Sequence, residues 1–336
     1  MSNPSDLPAI MICGHGSRSK SAVDEFNQLA VRIKERLPDH QVESGFLEFA
    51  TPVITTGLDK LRAAGAKKIV CLPGMLFAAG HVKNDLPSEI NTYGAENPDL
   101  DLVFAADLGL DSRLIAAAQQ RIQEALDAAS TEVALEDTLL LVVGRGTNDS
   151  DANSNVAKVT RMLWEGLNVG WADTAYSGVA YPLVDEALAR VTKMGFKRIV
   201  VFPYFLFSGI LVSRIYKWVD EAAAANADIE FLKASYLNDH PKVIDAFIAR
   251  LGEALDGTGN MNCQLCKYRE QIIGHEHDQG TAQAGHHHHV QGAGVEENPE
   301  DHGVHRGHGH GHSHSHDHSH DPLHPNHHHH GDEVDR

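Results

Sequence analysis

Short apolar runs alternate with longer amphipathic stretches through roughly the first 256 residues. The apolar runs fall at 9–13, 68–72, 100–105, 139–143, 198–202 and 229–232. Between them, apolar residues recur every three to four positions at 21–37, 56–64, 112–129, 155–167, 183–194 and 212–225. Brief runs without polar alternation suit strands buried on both faces, and the periodic stretches suit helices with one apolar stripe. Strand–helix–strand order with short connections predicts an α/β chain of parallel sheets with helices on both faces.

The pattern occurs twice. Gly14-His15-Gly16-Ser17 recurs as Gly144-Arg145-Gly146-Thr147, and Pro52, Gly65, Pro73 and Phe77 recur as Pro182, Gly195, Pro203 and Phe207. Each pair is separated by 130 residues. Self-similarity at one fixed offset predicts a duplicated unit: two similar lobes, 1–130 and 131–256, each with about four parallel strands. Beyond 256 the periodicity stops and Gly, His, Asp, Glu and Pro dominate. Residues 257–336 therefore form a third region, expected to be mostly disordered because it has too little apolar surface to offset its ordering entropy.

Composition narrows the function. Lys and Arg number 28 against 46 Asp and Glu, a net charge of −18, which argues against nucleic acid or an anionic membrane as partner. No apolar run reaches membrane-spanning length, and the first residues lack a basic, apolar leader, so a cytoplasmic location is expected. Four cysteines are too few for a disulfide framework. The chain has 24 histidines, 20 of them at or beyond His275. No phosphate loop, complete dinucleotide fingerprint, nucleophile elbow or HExxH helix is present; ATP use is not expected.

In an open parallel sheet, ligands bind beyond the carboxyl ends of the strands. Three polar residues fall there in the first lobe. His15 follows the first strand, Glu48 ends the run Gly45-Phe46-Leu47-Glu48-Phe49, and His81 follows the third strand. First and third strands are neighbours in such a lobe, so the two histidines are expected across one cleft. At the same offset the second lobe has Arg145, Gly178 and Leu211 instead. The first lobe is thus the expected chemical one. Two imidazoles and a carboxylate suit a borderline divalent ion such as Co²⁺, Ni²⁺, Fe²⁺ or Zn²⁺.

Three segments carry a family resemblance: Ile10-Met11-Ile12-Cys13-Gly14-His15-Gly16-Ser17-Arg18, Phe46-Leu47-Glu48-Phe49-Ala50-Thr51-Pro52, and Leu72-Pro73-Gly74-Met75-Leu76-Phe77-Ala78-Ala79-Gly80-His81-Val82. They resemble the sirohydrochlorin cobaltochelatases, class II chelatases that work without ATP, in their long histidine-rich form. The resemblance spans both lobes and implies insertion of Co²⁺ into sirohydrochlorin during cobalamin synthesis. Iron or nickel insertion is the alternative within the class, and a metal-storage protein or metallochaperone the alternative outside it. The resemblance implies that His15 and His81 are the paired histidines and Glu48 the acidic residue, holding the metal or moving protons. Sirohydrochlorin carries many carboxylates, so Arg18, Lys20, Lys83, Arg145 and Arg214 are candidate substrate-binding cations.

Met261-Asn262-Cys263-Gln264-Leu265-Cys266 contains one CxxC, half of a tetrahedral site. The long family form implies an iron–sulfur cluster at Cys263 and Cys266. A cluster held by four cysteines would then need two chains, because Cys13 and Cys71 fall in expected core strands, hence an expected homodimer. A redox dithiol, a zinc site completed by histidines and an inert pair remain open. Further on, His308, His310, His312, His314, His316, His318 and His320 alternate with small or acidic residues, a flexible polyimidazole suited to storing or delivering divalent metal.

Overall fold

The computed structural model describes residues 7–259. The expectations for Cys263, Cys266 and the histidines from His275 onward lie outside these residues. In chain order the described elements are β1 (Ala9–Gly14), α1 (Lys20–Arg36), β2 (Val42–Phe46), α2 (Ile54–Ala63), β3 (Lys68–Pro73), α3 (Leu86–Glu96), β4 (Asp101–Phe104) and α4 (Ser112–Asp127). The set repeats as β5 (Thr138–Gly144), α5 (Ser150–Leu167), β6 (Trp171–Tyr176), α6 (Val184–Val191), β7 (Arg198–Pro203), α7 (Ile210–Ala225), β8 (Glu230–Lys233) and α8 (Pro241–Leu255).

Two four-stranded sheets result, ordered β2-β1-β3-β4 and β6-β5-β7-β8. Every pairing in them is parallel. The parallel α/β class expected from the pattern is thus found in both lobes. The central strands β1 and β5 are buried along their whole length, which is why they read as unbroken apolar runs. Alternate residues go to opposite faces. Ile10 and Ile12 join a core with Phe26, Leu29 and Ile33 of α1, while Met11 and Cys13 join a separate core with Leu58 of α2. The second lobe divides likewise: Leu140 and Val142 lie in the first core, Leu139 and Leu141 in one of their own with Leu188.

The first of these cores belongs to both lobes. It gathers Leu114, Ala118 and Ile122 of α4, Val156, Val159 and Leu163 of α5, and Val243, Phe247 and Leu251 of α8. Helix α4, which closes the first repeat, packs on β7 and β8 of the second sheet; α8, which closes the second, packs on β3 of the first. Each sheet is covered by the other lobe's last helix. Polar bonds follow the same crossing. Arg250 of α8 donates to Leu108 O (3.0 Å) and to Asp111 (3.1 Å), and His240 Nε2 meets Gln120 Oε1 at 3.0 Å. With one apolar core running between them, the lobes cannot hinge apart without exposing it.

Candidate active site

Strand order fixes the site. With β1 between β2 and β3, the segments leaving these three strands meet at one sheet edge, His15 in the middle. Gly16 makes the turn there with φ +94°, and a Cβ on it would fall 1.6 Å from Glu48 O. Only glycine lets the two loops touch, and they are tied by Glu48 N–H to His15 O at 3.1 Å. His81 heads a single π-helical turn, His81–Asp85, that leads into α3.

The three side chains come together. His15 Nε2 stands 3.6 Å from Glu48 Oε1, and the two imidazoles meet edge to face with centroids 4.2 Å apart. One donor atom from each of His15, Glu48 and His81 lies within 4.8 Å of the others, the sole such His/Cys/Asp/Glu group among the described residues. His15 Nδ1 is 2.9 Å from Gly16 O, an acceptor only, so the proton sits on Nδ1. Its Nε2 is buried and has no hydrogen-bond partner. A buried lone pair left vacant beside a second imidazole and a carboxylate is a place for a cation or a proton. Burial first, then the nearby His81 ring and the Arg145 guanidinium, pull the pKa of His15 down to about 4, against a bond to Gly16 that raises it. The ring is therefore neutral, and able to ligate, at ordinary pH.

His15 and His81 line a cleft of about 490 Å³ between the lobes, with Glu48 beside His15. Phe49, Met75, Phe207, Ile210 and Leu211 give it apolar walls, and Arg18 and Arg145 enter from either lobe. Phe49 holds a left-handed backbone (φ 64°), unusual for a bulky residue. Its ring lies 6.1 Å from that of His15 and carries the Arg18 guanidinium 5.1 Å from its centroid.

Three of the candidate cations are not brought to the cleft. Lys83 is buried and bonded to Asp149 (2.7 Å) and Asp151 (3.3 Å) of the second lobe. Two residues beyond His81, it is carried by the π-helical turn away from the cleft, and desolvation would make it costly there without those acids. Arg214 donates to Ser177 O (2.7 Å) and lies over the Trp218 ring, so its charge braces the second lobe. Lys20 pairs with Asp24 on the exposed face of α1. Sequence reasoning also missed Asp85, 2.7 Å from His81 Nδ1; the signal available was an acid four positions after a site histidine.

Among the described residues, no helix is long and apolar enough to cross a membrane. The CbiX family model matches the chain twice, over residues 9–125 and 139–254, one match per lobe. A sirohydrochlorin cobaltochelatase of Priestia megaterium is 36% identical over 80% of this chain and 87% of its own length. A sirohydrochlorin ferrochelatase of the same organism is 28% identical over 76% of this chain and 93% of its own. Among solved structures, SirB from Bacillus subtilis with Fe³⁺ is similar with a TM-score of 0.67 at 27% identity, covering 76% of this chain and 99% of that one. Two matches of one model, laid on two lobes of one topology, establish that the chain belongs to the CbiX family.

Proposed function

We propose that this chain is a class II chelatase that inserts Co²⁺ into sirohydrochlorin without ATP. The observation that carries the reading is the His15–Glu48–His81 donor set, whose two histidines line an apolar, arginine-flanked cleft. The ring of sirohydrochlorin is flat and apolar and its rim is anionic. The cleft offers apolar walls for the ring, with Arg18 and Arg145 for rim carboxylates. The 36% identity to a cobaltochelatase favours cobalt.

The reaction needs a partly dehydrated divalent ion beside the ring and loss of two protons from the pyrrole nitrogens. Neutral His15 and His81 and the carboxylate of Glu48 can hold the ion with coordination positions left for the ring nitrogens. An imidazole that hands its metal to the ring has its lone pair free again to accept a pyrrole proton. Arg145, beside His15, helps keep that ring neutral while the ion approaches.

Iron insertion is the second reading. It is favoured by the 28% identity to a ferrochelatase, and the same donor set accepts Fe²⁺. The test is metallation followed by absorbance, with purified protein, sirohydrochlorin and Co²⁺, Fe²⁺ or Ni²⁺ in turn. The proposal expects cobalt to give the highest kcat/KM. A higher value for iron would transfer the assignment, and no acceleration by any metal would end it.

A further inference from the structure

Between first strand and last helix the two repeats differ in length by one residue, and the difference falls at the site. Up to the start of α3 and α7 they keep an offset of 130: Val82 and Val212 are both buried, and Lys83 N–H bonds Ala79 O (2.8 Å) as Ser213 N–H bonds Gly209 O (3.0 Å). Past that turn the offset is 129. Asn97 and Asn226 end the two helices with the same side-chain bond four residues back, to Tyr93 O and Ala222 O, each at 2.8 Å. Strands β4 and β8 then pair in the same register, Lys68 opposite Asp101 and Arg198 opposite Glu230. The first lobe thus has one extra residue after Val82, and the backbone absorbs it as the π-helical turn His81–Asp85, closed by Leu86 N–H to His81 O. Such bulges in α-helices recur at functional sites. The second lobe, without the donor set, runs through the same place as the unbroken helix α7.

Within this turn His81 Nδ1 lies 2.7 Å from Asp85 Oδ2, while Asp85 Oδ1 accepts from Asn84 Nδ2 at 2.9 Å. A carboxylate held this way only accepts, so the proton belongs on Nδ1 and the Nε2 lone pair of His81 is left over. Partners of this kind fix ring orientation and raise ligand basicity. His15 has a different backing, the neutral carbonyl of Gly16.

We propose that Asp85, set in place by the one-residue insertion, is a positioning residue that holds His81 in the Nδ1–H tautomer with Nε2 available to the reaction. The inference rests on the chelatase reading above. Asp85→Asn keeps the size but offers an amide that can donate to Nδ1 and favour the wrong tautomer. In the full-length chain it is expected to lower kcat for Co²⁺ insertion 10- to 100-fold, with KM for sirohydrochlorin within about twofold of the original. In a His81→Ala background the same change is expected to add nothing, because Asp85 acts through that ring. An active parent with an unimpaired Asp85→Asn variant, a loss expressed mainly in KM, or losses that multiply in the double variant would overturn the inference alone. A parent inert toward sirohydrochlorin would overturn the proposed function and this inference with it. If Asp85→Asn does not fold, Asn84→Ala carries the test through the bond it removes from Asp85. A several-fold fall in kcat supports the role and an unchanged kcat overturns it.

Discussion

At the strand ends of the first lobe stand His15, Glu48 and His81; at the matching places in the second stand Arg145, Gly178 and Leu211. The backbones beneath them are nearly the same. Leu47 N–H bonds Gly14 O as Ser177 N–H bonds Gly144 O, and Phe46 N–H bonds Pro52 O as Tyr176 N–H bonds Pro182 O. Phe49 and Val179 share a left-handed conformation, at φ 64° and 66°. Gly16 and Gly146 each turn where a Cβ would strike the facing loop's carbonyl oxygen, 1.6 and 1.9 Å away. The loop scaffold is a requirement of the fold and both lobes keep it. The donor set is a separate layer laid on one scaffold and absent from the other.

That separation can be tested, beginning with the largest effect. His15→Ala and His81→Ala are each expected to lower the rate of metallation on the order of 10²-fold or more in steady-state assays. Leu211→Ala, at the partner position of His81, should stay within a few-fold. Comparable losses at both positions would break the assignment of chemistry to one lobe.

The glycines should behave the other way, alike in both lobes. Gly16→Ala and Gly146→Ala are each expected to destabilise the fold by about 3 kcal/mol or more in urea unfolding, from forbidden backbone angles plus a clash with backbone. A marked difference between them would mean that the two scaffolds are not equivalent.

The pH dependence of stability carries a third contrast. His15 has a folded pKa of about 4 against 6.5 for the free side chain. The unfolded chain therefore takes up a proton below 6.5 that the folded one refuses. Stability contributed by this residue is full above about 6.5 and is lost as pH falls toward 4, on the order of 3 kcal/mol in all. His15→Gln should flatten that part of a stability–pH curve. Arg145→Gln should leave most of it in place, since burial is the larger cause.

Arg145 should matter to binding. Arg145→Ala is expected to raise KM for sirohydrochlorin about tenfold with kcat changed less than threefold, because a rim carboxylate is present in substrate and transition state alike. A loss confined to kcat would give Arg145 a part in the chemistry. The smallest effect concerns the tail. Truncation after residue 256 should leave turnover at saturating Co²⁺ unchanged and lower it only a few-fold when Co²⁺ is scarce, if the histidines serve as a tethered reservoir. Equal rates at scarce Co²⁺ would remove the delivery role.

Much of this was legible in the chain because it is written in local pattern. Ile10, Ile12, Leu140 and Val142 announce buried strands, and the 130-residue repeat announces the lobes and puts His15, Glu48 and His81 at strand ends. Helix α3 was harder to see: Pro87 and Gly94 interrupt it and the π-helical turn shifts its period just where the sequence offers His81. Edge strand β2, Val-Glu-Ser-Gly-Phe, has too many polar residues to stand out. Lys83 misled because closeness to His81 along the chain says nothing about which way a turn carries a side chain. Which sheet α4 and α8 cover depends on which apolar stripe meets which, and periodicity is silent on the partner.

The exchange of α4 and α8 makes the molecule an intramolecular domain swap. Geometrically it is what two single-lobe chains reach by trading their last helices, joined here by the short segment after α4. The peptide link between the lobes is then not what keeps them together. A cut between Ala128 and Ala134 leaves two fragments, each holding a helix that the other's sheet requires. They are expected to travel as one species on a sizing column until denaturant melts the shared core.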